Sequence, residues 1–163
     1  MTSQLHAEDA LARLFEFTVL MSEAMERDLA ERGLTRARAT VIAYLHRGGS
    51  MRQRELAEAL RVSPRNVTGL LDGLEATGFV ARAVHPSDRR ATLVTLTEHG
   101  TAVAKAMQTD ERRLARFLFA DVADHEMDDF ARTLDHLIAR LRDPSFARLR
   151  RSALKRWPSR RAG

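Results

Sequence analysis

A chain of 163 residues, 44% hydrophobic and 30% charged, carries enough apolar material for one folded domain with a core and does not have a disordered composition. No apolar run approaches the ~20 residues of a membrane span, and no basic start followed by an apolar core opens the chain, so neither a spanning helix nor a signal peptide is expected. The lack of cysteine excludes a disulfide framework, thiolate metal sites and a cysteine-oxidation switch, and it fits a cytoplasmic location.

In chain order, Leu11, Leu14, Phe15, Thr18, Met21, Met25 and Leu29 recur at helical spacing and predict a long helix over residues 7–31, ended by Gly33. Phe17, Val19 and Leu20 widen its apolar surface, which admits either a face packed on its own domain or a subunit interface. Thr35 is placed to cap a second helix, Arg36 to Arg47, with Val41, Ile42 and Leu45 inward and Tyr44 and His46 near its end. Gly48-Gly49-Ser50 makes the next turn. Gln53 to Leu60 reads as a short amphipathic helix with Leu56, Ala57 and Leu60 inward.

Only Arg61-Val62-Ser63 separates it from a fourth helix with strong boundary signals. Ser63 is a good N-cap, Pro64 fits the first helical position, and Gly78 fits the C′ position just past the end. Val67, Leu70, Leu71 and Leu74 form one apolar face. The other face carries Arg65, Asn66, Thr68, Gly69 and Asp72, which are small or hydrogen-bonding residues rather than the Glu and Lys of a solvated helix. Two helices across so short a turn predict a helix-turn-helix.

After Gly78 the period changes to two. Phe79 to Val84 and Thr92 to Leu96 read as strands joined by the polar stretch His85 to Arg90. A helix-turn-helix followed by a basic hairpin is a winged helix. Thr97 then caps a helix from Glu98 to about Phe119, with Val103, Met107, Leu114, Phe117 and Leu118 inward. A last core helix spans about Asp124 to Arg142, with Met127, Phe130, Leu134, Leu137, Ile138 and Leu141 at helical spacing, and Pro144 ends it. Beyond it, Phe146, Leu149, Ala153 and Trp157 sketch a weak apolar stripe up to Pro158.

Charge is unevenly distributed. Residues 1–31 hold two Lys/Arg against seven Asp/Glu, residues 32–92 eleven against five, residues 93–144 seven against ten, and residues 145–163 seven against none. The basic segment coincides with the winged helix, as expected of a lobe that neutralises phosphates. The final basic run reads equally as a solvated end or as a nonspecific phosphate anchor.

Leu56-Ala57, Val67-Thr68, Leu74-Glu75 to Gly78, Asp88 with Arg90, and Leu96-Thr97 to Gly100 follow one another in an order that resembles the MarR family of bacterial transcription regulators. The resemblance is close from Leu34 to Gly100. Two positions depart from it: Arg52 stands where a Ser or Thr cap is usual, and Gly69 where a basic residue is usual on the recognition helix. The resemblance implies a mainly α fold with a small β-hairpin wing, built as a single domain over 1–163. Residues 35–97 would be the DNA-binding part, 5–33 and 98–143 the dimerisation helices, and 144–163 a basic tail. It also implies a homodimer on a pseudo-palindromic operator, most simply as a repressor, with an effector site between the dimer module and the winged helix.

On this basis Ser63, Pro64, Arg65, Asn66 and Thr68 are expected at the major groove, where Arg and Asn can pair bidentately with guanine and adenine edges; Ser63 reads first as a pure cap and only second as a base contact. Arg89 and Arg90 are expected at the minor groove or its phosphates, with Asp88 orienting Arg90. Phe15, Met21, Met25, Tyr44, His46 and Met107 are the expected lining of an effector pocket, suited to an anionic aromatic molecule, although each also reads as plain core. No phosphate loop, nucleophile elbow or His-Glu-x-x-His helix occurs, so no catalytic role and no cofactor are expected. His125 and Glu126 with Asp128 and Asp129 read as an acidic first helical turn rather than as metal ligands. A nonspecific architectural DNA-binding protein is the alternative that the same features admit.

Overall fold

The computed structural model describes residues 2–153 except Pro86, with side chains described for 6–148 apart from Pro86 and Arg89. The chain forms α1 (Thr2–Glu31), α2 (Arg36–Gly48), β1 (Met51–Arg52), α3 (Gln53–Leu60), α4 (Pro64–Ala76), β2 (Val80–His85), β3 (Asp88–Leu96), α5 (Glu98–Leu118), α6 (Asp124–Arg142) and α7 (Pro144–Ala153). It divides into two compact units, Met1–Glu111 and Arg112–Gly163, with the boundary inside α5.

The first unit holds a mainly α winged helix, as its sequence predicts. Its core is built from Val41, Ile42 and Leu45 of α2, Leu56 of α3, Val67, Leu71 and Leu74 of α4, and Val94 of β3. The helical ones are the inward positions expected from the 3.6-residue period, and all, Val94 included, are at most 2% exposed. Helix boundaries follow local chemistry. Thr35 accepts from the Arg38 N–H at 3.4 Å and caps α2. Glu55 accepts the Arg52 N–H at 2.8 Å, so α3 is capped from its own third residue and Arg52 needs no hydroxyl.

The sheet corrects the two-stranded reading. β1 adds a third strand, in the order β1-β3-β2, pairing Met51 with Val94 and Arg52 with Leu93. The wing strands also run further than expected. β2 starts one residue late, at Val80, because Phe79 is buried at the end of the turn that follows α4. At the tip His85 pairs with Asp88, so Asp88, Arg89 and Arg90 lie in β3 rather than in a loop. Ser87 donates its N–H to His85 Nδ1 at 3.3 Å, which uses that ring nitrogen to close the turn.

The seam between α4, the wing and α5 is tightly bonded. Thr97 Oγ donates toward the carbonyls of Gly78 (2.6 Å) and Phe79 (3.2 Å) and accepts the Gly100 N–H at 3.0 Å. The Thr97 N–H also donates to the Phe79 carbonyl, at 3.1 Å. A Cβ at Gly100 would overlap the Phe79 carbonyl oxygen, so the Leu-Thr-x-x-Gly motif is a packing requirement.

In the second unit, α6 begins with Glu126 accepting the Ala123 N–H at 3.1 Å, the capping role its acidic first turn suggests. Pro144 ends α6 and begins α7, where its missing N–H costs nothing. The expected inner faces here are corrected. Phe117 is 80% exposed and Leu141 58%, and Leu114, Leu118, Phe130, Leu137 and Ile138 are also exposed, because none of them is fully covered within the single chain. The same holds on α1 for Leu11, Phe15, Phe17, Val19, Leu20 and Met25. Residues 154–163, with most of the expected basic tail and Trp157, lie outside the described residues.

Candidate nucleic-acid interface

The candidate interface is built on the N-terminal half of α4. Ser63 Oγ accepts the Asn66 N–H at 3.2 Å, the capping geometry its sequence position predicts. This fixes the first turn and leaves the hydroxyl proton free to donate elsewhere. Pro64 starts the helix, and Arg65 and Asn66 point from it as exposed side chains. Gly69, one turn on, is open, with no atom within 4 Å of where a Cβ would sit.

Thr68 is more constrained than its neighbours. Its hydroxyl donates to the Pro64 carbonyl at 2.8 Å and accepts from Gln53 Nε2 at 2.8 Å. Gln53 therefore pins the first turn of α3 to the middle of α4. It is a structural participant that residue type and spacing did not single out, since its partner lies 15 residues away.

A second brace comes from the wing. Arg82 of β2 meets Asp72 at 2.7 Å and Glu75 at 2.5 Å. The side-chain hydrogen bond from Arg82 holds the Glu75 carboxyl below its ordinary value, and the bond with Glu75 raises Arg82 in turn. Asp72, which the helical wheel placed on the open face, is thus engaged by the wing. The brace ties α4 to β2 at the root of the hairpin.

At the wing, Asp88 Oδ1 accepts the Arg90 backbone N–H at 3.0 Å. Asp88 orients this residue through the main chain, and the Arg90 side chain is exposed. The Arg89 side chain lies outside the described residues. A further arginine enters from α2: Arg38 lies across α4 at Gly73, where a Cβ would collide with its guanidinium. The sequence signal for this contact is the glycine itself, a poor helix former in mid-helix.

The six residues expected to line an effector pocket all belong to the first unit. Phe15 and Met25 are exposed on α1, Met21 and His46 are half-buried, and Tyr44 and Met107 pack against the core. The Tyr44 hydroxyl donates to the Ala59 carbonyl at 3.3 Å, and Arg47 lies over its ring at 5.8 Å, so this polar group is partnered within the chain. Clefts open between α6 and α7, lined by Arg140, Asp143, Ser145 and Phe146, and along α6 beside Arg132 and His136; none of the six residues borders them. Among the described residues no three His, Asp or Glu side chains gather as metal ligands.

Known proteins resemble this chain in sequence and in fold. Residues 32–91 match the family model described as "MarR family". The HTH-type transcriptional repressor YetL of Bacillus subtilis is 32% identical over 130 residues, covering 78% of each chain. The crystal structure of YusO from Bacillus subtilis superposes with a TM-score of 0.70 at 26% identity, covering 85% of this chain and 98% of that one. FabT of Streptococcus pneumoniae, solved in complex with DNA, gives a TM-score of 0.71 over 83% of this chain and 95% of that one; at 18% identity the likeness shows the fold alone.

Proposed function

The chain belongs to the MarR family of DNA-binding transcription regulators, and from that premise we propose that it acts as a homodimeric, cytoplasmic repressor of a pseudo-palindromic operator, released by a small anionic aromatic effector. The observation that carries the DNA part is the double brace on α4. Gln53 and Arg82 hold the helix by Thr68, Asp72 and Glu75, while Arg65 and Asn66 stay exposed at its N-terminal end. A helix fixed in this way meets base edges without first having to be ordered, which lowers the cost of binding.

Ser63, Arg65, Asn66 and Thr68 then face the major groove, with Pro64 setting the start of the helix, and Arg89 and Arg90 meet the neighbouring minor groove or its phosphates. Thr68 contributes chiefly by position, since its hydroxyl already serves Pro64 and Gln53. The dimer reading is supported by the apolar rows that the single chain leaves at its surface on α1, α5 and α6. Two recognition helices related by a two-fold axis would sit ~10–10.5 bp apart or a multiple of that. Among the described residues no helix is long and apolar enough to cross a membrane, in keeping with a protein that works on DNA. The effector part rests on the family membership and on the apolar residues Phe15, Met21, Met25, Tyr44, His46 and Met107. YetL is named a repressor, which favours repression over activation.

Selection of bound sites from random DNA tests the reading. A regulator enriches one pseudo-palindrome and binds it at least ~10³-fold more tightly than unrelated duplex. An architectural protein enriches none. Titrating phenolic acids against the selected operator complex then tests release. By linkage, an effector that lowers operator affinity must itself bind more weakly to the DNA complex, by the same factor.

A further inference from the structure

We propose that Arg38 is a DNA-phosphate contact, delivered onto the flank of α4 by the glycine at position 73. Arg38 lies in the first turn of α2, away in sequence from both the helix-turn-helix and the wing. Its guanidinium nonetheless crosses the backbone of α4 at Gly73, and any larger residue there would push it aside. Gly73 lies seven residues after Asn66, on the same row of the helix and ~10 Å further along it.

The charge on this flank differs from that on the other. Glu75 lies ~160° around α4 from Gly73, and on its side Arg82 is neutralised by Asp72 and Glu75. Among the described residues no carboxylate pairs with Arg38 and its guanidinium makes no hydrogen bond; the bond to Thr35 comes from its backbone N–H. The guanidinium of this half-buried residue, packed against a helix with donors unclaimed, suits an anion supplied from outside. An α-helix with its side chains nearly fills a major groove ~12 Å wide, so groups on its flanks meet the phosphate walls rather than the bases. Arg38 thus supplies a cation that α4 itself lacks at Gly69 and Gly73. The inference rests on α4 lying in the groove, as proposed above.

The test uses the full chain and a fluorescent mixed-sequence duplex of about 30 base pairs, titrated across a range of salt. Arg38→Ala is expected to weaken binding and to flatten the log–log salt dependence by ~0.9 for each chain bound, equally on mixed-sequence and selected operator DNA. Arg38→Lys should keep the slope. Gly73→Ala, which retains Arg38 but displaces it, should reproduce the loss, and the double variant should lose no more than either single one. Far-UV circular dichroism and thermal unfolding confirm that each variant is folded. Wild-type slope and affinity in folded Arg38→Ala, or a loss confined to one DNA sequence, overturns the phosphate contact while the DNA-binding reading stands. A wild-type chain that binds no duplex at low salt overturns that reading and this inference with it.

Discussion

At the scale of single residues, glycines mark where backbone and side chains approach α4 and α5 most closely. Gly100 and Gly69 are both helical yet differ in kind. A Cβ at Gly100 would strike the Phe79 carbonyl, which is backbone and cannot swing away. Gly100→Ala should therefore lower stability by about 1–3 kcal/mol, read as a shifted urea midpoint at constant slope. A Cβ at Gly69 meets nothing within 4 Å. Gly69→Arg should be at least as stable as wild type, since glycine is a weak helix former. If α4 occupies the groove, the same change should tighten DNA binding and steepen the salt slope by up to ~0.9 per chain. A folded Gly69→Arg variant with weaker binding at low salt would mean that this face of α4 does not meet phosphates.

At the scale of elements, the coupling of α4 to the wing runs through Arg82. Glu75 has its folded-state pKa depressed by the bond with Arg82. That contribution is complete above the ordinary carboxylate value of about 4.3 and is lost as pH falls through the depressed folded value. Glu75→Gln should thus abolish a pH-dependent part of stability in the acid range and leave the neutral fold intact, as followed by thermal unfolding between about pH 3 and 7. Identical pH profiles for the variant and the wild type would count against the brace.

The limits of α4 were legible because Ser63, Pro64 and Gly78 each act within a few residues of their own position. So was the inner face of α2, where the helical period points straight at the core. β1 was not legible, since two residues carry no period and their identity as a strand depends on Val94 and Leu93 more than forty positions away. Gln53 with Thr68, Arg38 with Gly73, and Arg82 with Asp72 are likewise products of packing rather than of local pattern. In α5 and α6 the period identified the apolar rows correctly, but a period does not say whether a row is covered by its own chain.

At the scale of the whole molecule, those uncovered rows carry the case for assembly. Leu20 on α1 is 59% exposed and Phe117 on α5 80% exposed, so a charge at either site costs the single chain little. Leu20→Asp combined with Phe117→Asp should yield a folded monomer, seen by sedimentation at micromolar concentration, that has lost tight operator binding while retaining weak binding to random duplex. A wild-type chain that sediments as a monomer under the same conditions would refute the dimer.

The seam around Thr97 has a kinetic meaning as well. The carbonyls of Gly78 and Phe79 and the hydroxyl of Thr97 together bind the end of α4, the base of the wing and the first turn of α5. None of these three can fray alone without breaking bonds that belong to the others. The amides of Phe79, Thr97 and Gly100 should therefore exchange their hydrogens for deuterium together, with one common opening free energy and one common response to urea. The tip of the wing at Ser87, where the Ser87 N–H bonds to the exposed His85 ring rather than to a core strand, should exchange by a separate and much easier opening. The hairpin would then be loose where it reaches outward and locked where it is rooted, so that its tip can search a surface without disturbing the helix beside it.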